Sequence, residues 1–252
     1  MKIVQLSLTL LILAVACKAP EEPRVNYSDD LVNATLWYQN GDEMKAQYQQ
    51  AYIRAGELLQ KYLQETGDSI PAAVILDVDE TVLDNSPYEA WLIQNGESYN
   101  PDSWSRWVGE ATAEPLPGAL AFTQMADSLG VEVFYITNRA HELLEPTQRN
   151  LAEAGFPQAD EKHLMLKTST SDKTERREAV KKDYRVLLLV GDQLTDFTQE
   201  TAWDRDTVRQ HFIMLPNPMY GGFLDKAYDN DYSMSEKEKA AKRKAALKPA
   251  SL

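Results

Sequence analysis

The stretch Ala72-Ala-Val-Ile-Leu-Asp-Val-Asp-Glu-Thr-Val-Leu-Asp84 decides how this chain is read. Its first five residues form a continuous apolar run, the pattern of a strand buried on both faces. The run stops at Asp77, and Asp79 follows two positions on, so two carboxylates stand where a buried strand ends. Similar apolar runs recur at Val131-Glu-Val-Phe-Tyr-Ile136, Val186-Leu-Leu-Leu-Val190 and Phe212-Ile-Met-Leu215. Helical patterns fill the intervals. Phe122, Met125 and Leu129 make one stripe closed by Gly130, a second pattern runs from Pro146 to Ala154 with Gly155 past its end, and a third covers 173–183. Strands alternating with helices predict an α/β fold of three layers, α/β/α, with a parallel, Rossmann-like sheet. Ligands of such sheets bind beyond the carboxyl ends of the strands.

Those ends carry a consistent chemistry. Thr137-Asn138-Arg139 follows the second run, and Gly191-Asp192-Gln193-Leu194-Thr195-Asp196 follows the third. Lys173 opens the helical pattern between them, with Lys162 and Lys167 nearby as rivals. Any one cluster is ordinary loop composition. Four polar clusters in order at the ends of buried strands, or at the helix between them, are not.

The set resembles the haloacid dehalogenase superfamily, whose motifs are Asp-x-Asp-x-Thr, a hydrophobic strand ending in Thr or Ser, a Lys, and an acidic pair after a strand. The longer stretches Ile75-Leu-Asp-Val-Asp-Glu-Thr-Val-Leu-Asp-Asn-Ser-Pro-Tyr88 and Val186-Leu-Leu-Leu-Val-Gly-Asp-Gln-Leu-Thr-Asp-Phe197 resemble the paired signatures of class C bacterial acid phosphatases, subfamily IIIB. The likeness runs from about residue 31 to about residue 225. Gln193 departs from it, standing where the family has Asn or Thr.

The resemblance implies roles. Asp77 is the nucleophile, and Asp79 is the general acid and then base. Thr81 fixes the loop, Thr137 and the Asn138 amide meet a phosphoryl oxygen, and Lys173 supplies positive charge. Asp77, the Asp79 carbonyl and Asp192 hold Mg2+, with Asp196 behind them, since hard oxygen donors without clustered His or Cys suit magnesium better than zinc. Trp104 and Tyr220 line the substrate cleft, and stacking on a planar leaving group points to nucleoside 5'-monophosphates among a wider set of phosphomonoesters. The alternatives are a phosphotransferase, which shares the aspartyl-phosphate, and a non-catalytic nucleotide-binding lipoprotein, which has no need of a nucleophile. The resemblance also implies a homodimer.

Further out, 31–66 is helical by pattern, with Tyr48, Tyr52, Ala55, Leu59 and Leu63 on one face. Together with the aromatic insert 85–117 it is expected to form a small, mainly helical cap on a phosphatase domain of residues 31–234. Residues 235–252 read as a charged, solvated helical tail. Residues 1–17 carry Lys2, the apolar Leu10-Leu-Ile-Leu-Ala-Val-Ala16 and the chain's one cysteine, Cys17. They read as a lipoprotein signal with an acylated Cys17, an ordinary signal peptide being the alternative. Residues 18–30 read as a tether. Lys18 in place of Asp favours the outer membrane by resemblance to enteric lipoproteins. The net charge of -13 argues against a nucleic-acid polymer as partner but not against a small phosphate ester.

Overall fold

The structure, a computed structural model, describes residues 31–65, 70–198 and 211–250. The signal, Cys17 and the tether lie outside them. No helix of the described residues is long and apolar enough to cross a membrane.

The apolar runs form a parallel sheet of β1 (Ala72–Leu76), β4 (Glu132–Ala140), β5 (Leu164–Lys167), β6 (Arg185–Gly191) and β7 (Phe212–Met214), in the order β5-β4-β1-β6-β7. β1 is central, so its carboxyl end lies between those of β4 and β6. A two-stranded antiparallel pair, β2 (Leu83–Asp84) with β3 (Glu114–Pro115), ties off the segment between them as a closed excursion.

Alternate residues of the strands face opposite ways, as the pleat requires. Val74, Leu76, Val133, Tyr135, Leu188 and Val190 join one large core with α2 (Asp42–Gln64) and α5 (Ala119–Ser128). Ala73, Ile75, Phe134, Ile136 and Leu189 meet Val180 of α7 (Thr174–Asp183) and Phe197 on the other face. Each large aliphatic side chain buried in this way stabilises by about 1.5–3 kcal/mol before the entropy of ordering is subtracted. The three-layer α/β/α expectation holds.

Four details differ from the sequence pattern. The helical region 31–63 is two helices, α1 (Val32–Asn40) and α2, broken at Gly41, where a Cβ would stand 2.5 Å from the Trp37 carbonyl oxygen. α2 belongs to the layer covering the sheet rather than to a cap, because Tyr48, Tyr52, Ala55 and Leu59 are all buried in the main core. Above the strand ends stand α1, α3 (Ser86–Asn95) and α4 (Pro101–Glu110), with α1 packed on α3 and α4 on α6 (Leu144–Glu153). β5, a short edge strand of alternating burial, has an apolar run of just three residues, Leu164-Met165-Leu166. Finally, the tail forms α9 (Glu236–Ala245), which docks on a short helix, Lys226–Tyr228, that follows α8 (Gly222–Asp225).

Candidate active site

Asp77 leaves β1 with its amide still donating to the Val190 carbonyl at 3.0 Å, so the neighbouring strand sets its position. The chain then turns tightly. The amides of Val82 and Leu83 both donate to the Val78 carbonyl at 3.0 Å, and Glu80 takes the left-handed conformation at φ 54. Two buried tyrosines of α2 hold this turn from below, Tyr48 donating to the Glu80 carbonyl at 2.5 Å and Tyr52 to the Thr81 carbonyl at 2.7 Å. Thr81 is fully buried, and it fixes the turn through its backbone, since its hydroxyl has no partner among the described residues.

Asp77, Asp192 and Asp196 each offer a carboxylate oxygen within 4.8 Å of the others. Lys173, at the start of α7, is buried between two of them, donating to Asp77 Oδ1 and, at 2.6 Å, to Asp196 Oδ1. Arg177 anchors the Asp196 loop from behind, donating to the carbonyls of Thr195 and Asp196 at 3.1 and 3.0 Å. Gln193 keeps the turn that its position requires. Its side chain accepts from the Asp196 amide, and Asp196 Oδ2 accepts from the Gln193 amide at 2.9 Å. Asn217 donates to Asp192 Oδ2 at 2.8 Å.

Three carboxylates around one ammonium leave an excess of negative charge in a desolvated place. Burial pushes the Asp77 carboxyl up to about 7 against the pull of Lys173, with Asp196 and Asp79 adding to the rise. Asp192 is raised well above the usual carboxylate range, by burial first and then by Asp196 and Asp77. Burial alone would lower the Lys173 pKa, but the carboxylates of Asp196 and Asp77 outweigh it and the ammonium persists. An all-oxygen set short of positive charge fits a hard divalent cation.

Asp79 belongs to a separate network. Its Oδ1 accepts from Arg139 Nε at 2.9 Å and from Asn85 Nδ2 at 2.9 Å, while Thr137 Oγ1 donates to Oδ2 at 3.2 Å. The Arg139 side chain is almost wholly buried; it also donates to Thr147, and Trp104 lies 5.6 Å from its guanidinium. Trp107 Nε1 donates to Asn85 Oδ1 at 2.8 Å. Asn138 is held by Arg176, which donates to its Oδ1 at 2.8 Å and to the Thr137 carbonyl at 2.6 Å.

Above these groups opens a cavity of about 410 Å³, walled by the acids, Lys173 and Asn138 on one side and by Tyr88, Tyr99, Trp104 and Tyr220 on others. Glu89 of α3 also lines it, its carboxyl raised to about 7 by burial.

A family profile described as HAD superfamily, subfamily IIIB (Acid phosphatase) matches residues 14–223. The chain belongs to this acid phosphatase family. As a member it is a phosphomonoesterase. The class C acid phosphatase from Bacillus anthracis is 37% identical with a TM-score of 0.83, the match covering 90% of this chain and all of that one. The same enzyme with tungstate bound is 36% identical with a TM-score of 0.84. Acid phosphatase 1 of Solanum lycopersicum is 32% identical over 191 residues, 73% of this chain and 71% of that protein.

In this acid phosphatase the fold gathers the sequence-derived residues in one place, though not in one contact set. Asp77, Lys173, Asp192 and Asp196 share a cluster in which Asp196 stands beside the other two carboxylates rather than behind them. Lys162 instead donates to Glu132 at 2.7 Å, on the surface. Trp104 and Tyr220 both line the cavity. Thr137 is fully buried with its hydroxyl turned to Asp79, and Asn138 and Arg139 are the residues of that segment in the wall. The residues that sequence reading passed over are Arg139, Asn85, Glu89 and Arg177. Arg139 lay in plain view beside Thr137-Asn138, at the end of a buried strand where an unpaired charge is costly, and that was the available signal.

Proposed function

We propose that this acid phosphatase cleaves phosphomonoesters in two steps through a phosphoryl group carried on Asp77. An Asp77 oxygen attacks phosphorus, the bond from phosphorus to the leaving oxygen breaks, and that oxygen takes a proton from Asp79. Water then attacks the acyl phosphate, gives its proton to Asp79, and releases phosphate with Asp77 regenerated as a carboxylate. Asp79 is suited to this by its bonding. Arg139 and Asn85 occupy Oδ1, which leaves Oδ2, bonded among the described residues only to Thr137, to carry the proton.

The observation that carries the reading is the placement of Asp77 at the end of the central strand, bonded to Lys173 and within 4.8 Å of the Asp192 and Asp196 oxygens. Lys173 neutralises one charge of the cluster as the phosphate approaches. We assign Mg2+ to Asp77, Asp192 and the Asp79 carbonyl, with Asp196 adjoining. When bound, it lowers the repulsion between an anionic nucleophile and an anionic ester and screens the equatorial oxygens.

The four aromatic side chains of the cavity favour a planar leaving group, which makes nucleoside 5'-monophosphates a fitting substrate class beside simpler esters. A lipid anchor on Cys17 would place the enzyme in the cell envelope, at the outer membrane.

Rapid acid quench of turnover with labelled ester tests the mechanism. The native protein is expected to retain label, and Asp77→Asn neither to retain label nor to release phosphate while keeping its circular dichroism. Normal turnover by the variant sinks the nucleophile assignment. Full activity in EDTA would refute the metal, and membrane retention of Cys17→Ser would refute the anchor.

A further inference from the structure

The cavity has a wall that the catalytic reading does not use. Along α9 the half-covered residues are Glu236, Lys239, Ala240 and Arg243, at steps of three and four, and the rest of the helix is exposed. The helix therefore docks by one face. It is set in place by a reciprocal cap, Ser235 with Glu238, and by Lys239 over the ring of Tyr228 at 5.7 Å. Through this face Glu236 and Arg243 reach the lining of the same cavity as Asp77.

The cations of that lining are not equivalent. Arg139 is paired with Asp79, and Lys173 with Asp77 and Asp196. The acids nearest α9 are also engaged. Asp225 accepts from Tyr228 and, at 2.9 Å, from Tyr232, while Glu236 accepts from Lys239 at 2.8 Å. Arg243 is different. Its Nε is buried without a hydrogen-bond partner, and its guanidinium has no ion pair among the described residues. A buried arginine donor without an acceptor is costly, and a guanidinium fork fits carboxylate and phosphate oxygens in particular.

We propose that Arg243 forms an anion subsite at the α9 wall, which binds a second negatively charged group, carboxylate or phosphate, on the leaving-group side of the substrate. The subsite deepens the phosphomonoesterase reading, with the scissile phosphate at Asp77 and the second anion at Arg243. It selects among esters without taking part in bond breaking.

The test compares paired esters that differ by one anion: phenyl phosphate with 4-carboxyphenyl phosphate, and adenosine 5'-monophosphate with adenosine 3',5'-bisphosphate. Loss of one charge-assisted bond is worth about tenfold in binding. Arg243→Gln is therefore expected to lower the kcat/KM ratio of the dianchored to the simple ester about tenfold in at least one pair, through KM, with Arg243→Lys intermediate. The pair that responds reports whether carboxylate or phosphate is the better ligand. If both members of each pair change equally, Arg243 only holds α9 or binds the scissile phosphate, and the subsite is wrong; unchanged ratios in both pairs overturn it as well. The same ratios, measured by calorimetry as dissociation constants on an Asp77→Asn background, do not depend on turnover. Failure of the hydrolytic reading and failure of the subsite are thus separate results.

Discussion

Gly191 and Asp196 lie so close that no side chain fits between them: a Cβ on Gly191 would stand 2.4 Å from Asp196 Oδ2 and 2.6 Å from its Cβ. The last residue of β6 is thus a glycine because the acidic turn folds back onto it. That fold brings Asp196 Oδ1 to Lys173 and Oδ2 to the Gln193 amide.

Gly191→Ala must therefore push the Asp196 side chain aside. Overpacking of this kind costs about 1–3 kcal/mol, and misplacement of a reacting group by an ångström costs about a hundredfold in rate. The expected result is a folded protein with a lowered Tm and a loss of phosphatase activity far larger than the loss of stability explains. An alanine variant of native activity would mean that Asp196 contributes nothing to the site through its position.

Arg139 is the counter-ion that sequence reading passed over. Its side chain is 1% exposed and pairs with Asp79 at 2.8 Å. Removing one partner of a buried pair leaves the other uncompensated, at about 3–5 kcal/mol. Arg139→Met is expected to lower Tm by calorimetry and to lower kcat, because Asp79 loses the bonds that fix Oδ1. Arg139→Lys should recover part of the stability but less of kcat, since one ammonium cannot replace a fork bonded to Asp79, Thr147 and Asn85.

The cluster also predicts an unusual dependence of stability on pH. Asp77 and Glu89 both have carboxyls raised to about 7, and Asp192 is raised as well. Between the unfolded carboxylate value and about 7 the native state holds protons that the unfolded state has released, so stability falls as pH rises through that window. With EDTA present, Tm is expected to be higher at pH 5 than at pH 7.5. On the proposed metal assignment, magnesium should raise Tm more at pH 7.5, where those carboxylates are ionised. A metal-free Tm that climbs from pH 5 to pH 7.5 would contradict the burial of these acids.

What was legible in the chain follows from which interactions are local. The strands β1, β4 and β6 were readable because a strand buried on both faces has a continuous apolar run, and the acids at their ends because the runs stop abruptly there. β5 was not readable, as an edge strand of four residues, Leu164-Met165-Leu166-Lys167, alternates in burial and not in residue type and is too short to stand out. Lys173 came from family resemblance alone, because its partners Asp77 and Asp196 lie 96 and 23 positions away. α9 was legible as a helix and illegible as a wall of the cavity. Its charged composition reads as solvated, and only the docking of one face against Lys226–Tyr228 reveals what Arg243 meets.

Tyr52 illustrates the same divide between pattern and role, and it gives a separable test. On the helical face of α2 it reads as core, and it is core, packed on Phe122 with 5.7 Å between ring centroids. Its hydroxyl nevertheless donates to the Thr81 carbonyl at 2.7 Å, and burial keeps its pKa well above the usual tyrosine value, so it remains a donor across the working range of pH. Tyr52→Phe preserves the packing and removes one bond, at about 1 kcal/mol of stability. Because the turn that it supports carries Asp77 and Asp79 but does not form the aromatic wall, kcat should fall severalfold with KM little changed. On the proposed mechanism, rapid-quench measurement should place the loss in phosphoryl transfer to Asp77 rather than in ester binding. A variant whose KM rises while kcat holds would show that the tyrosine supports the cleft and not the turn.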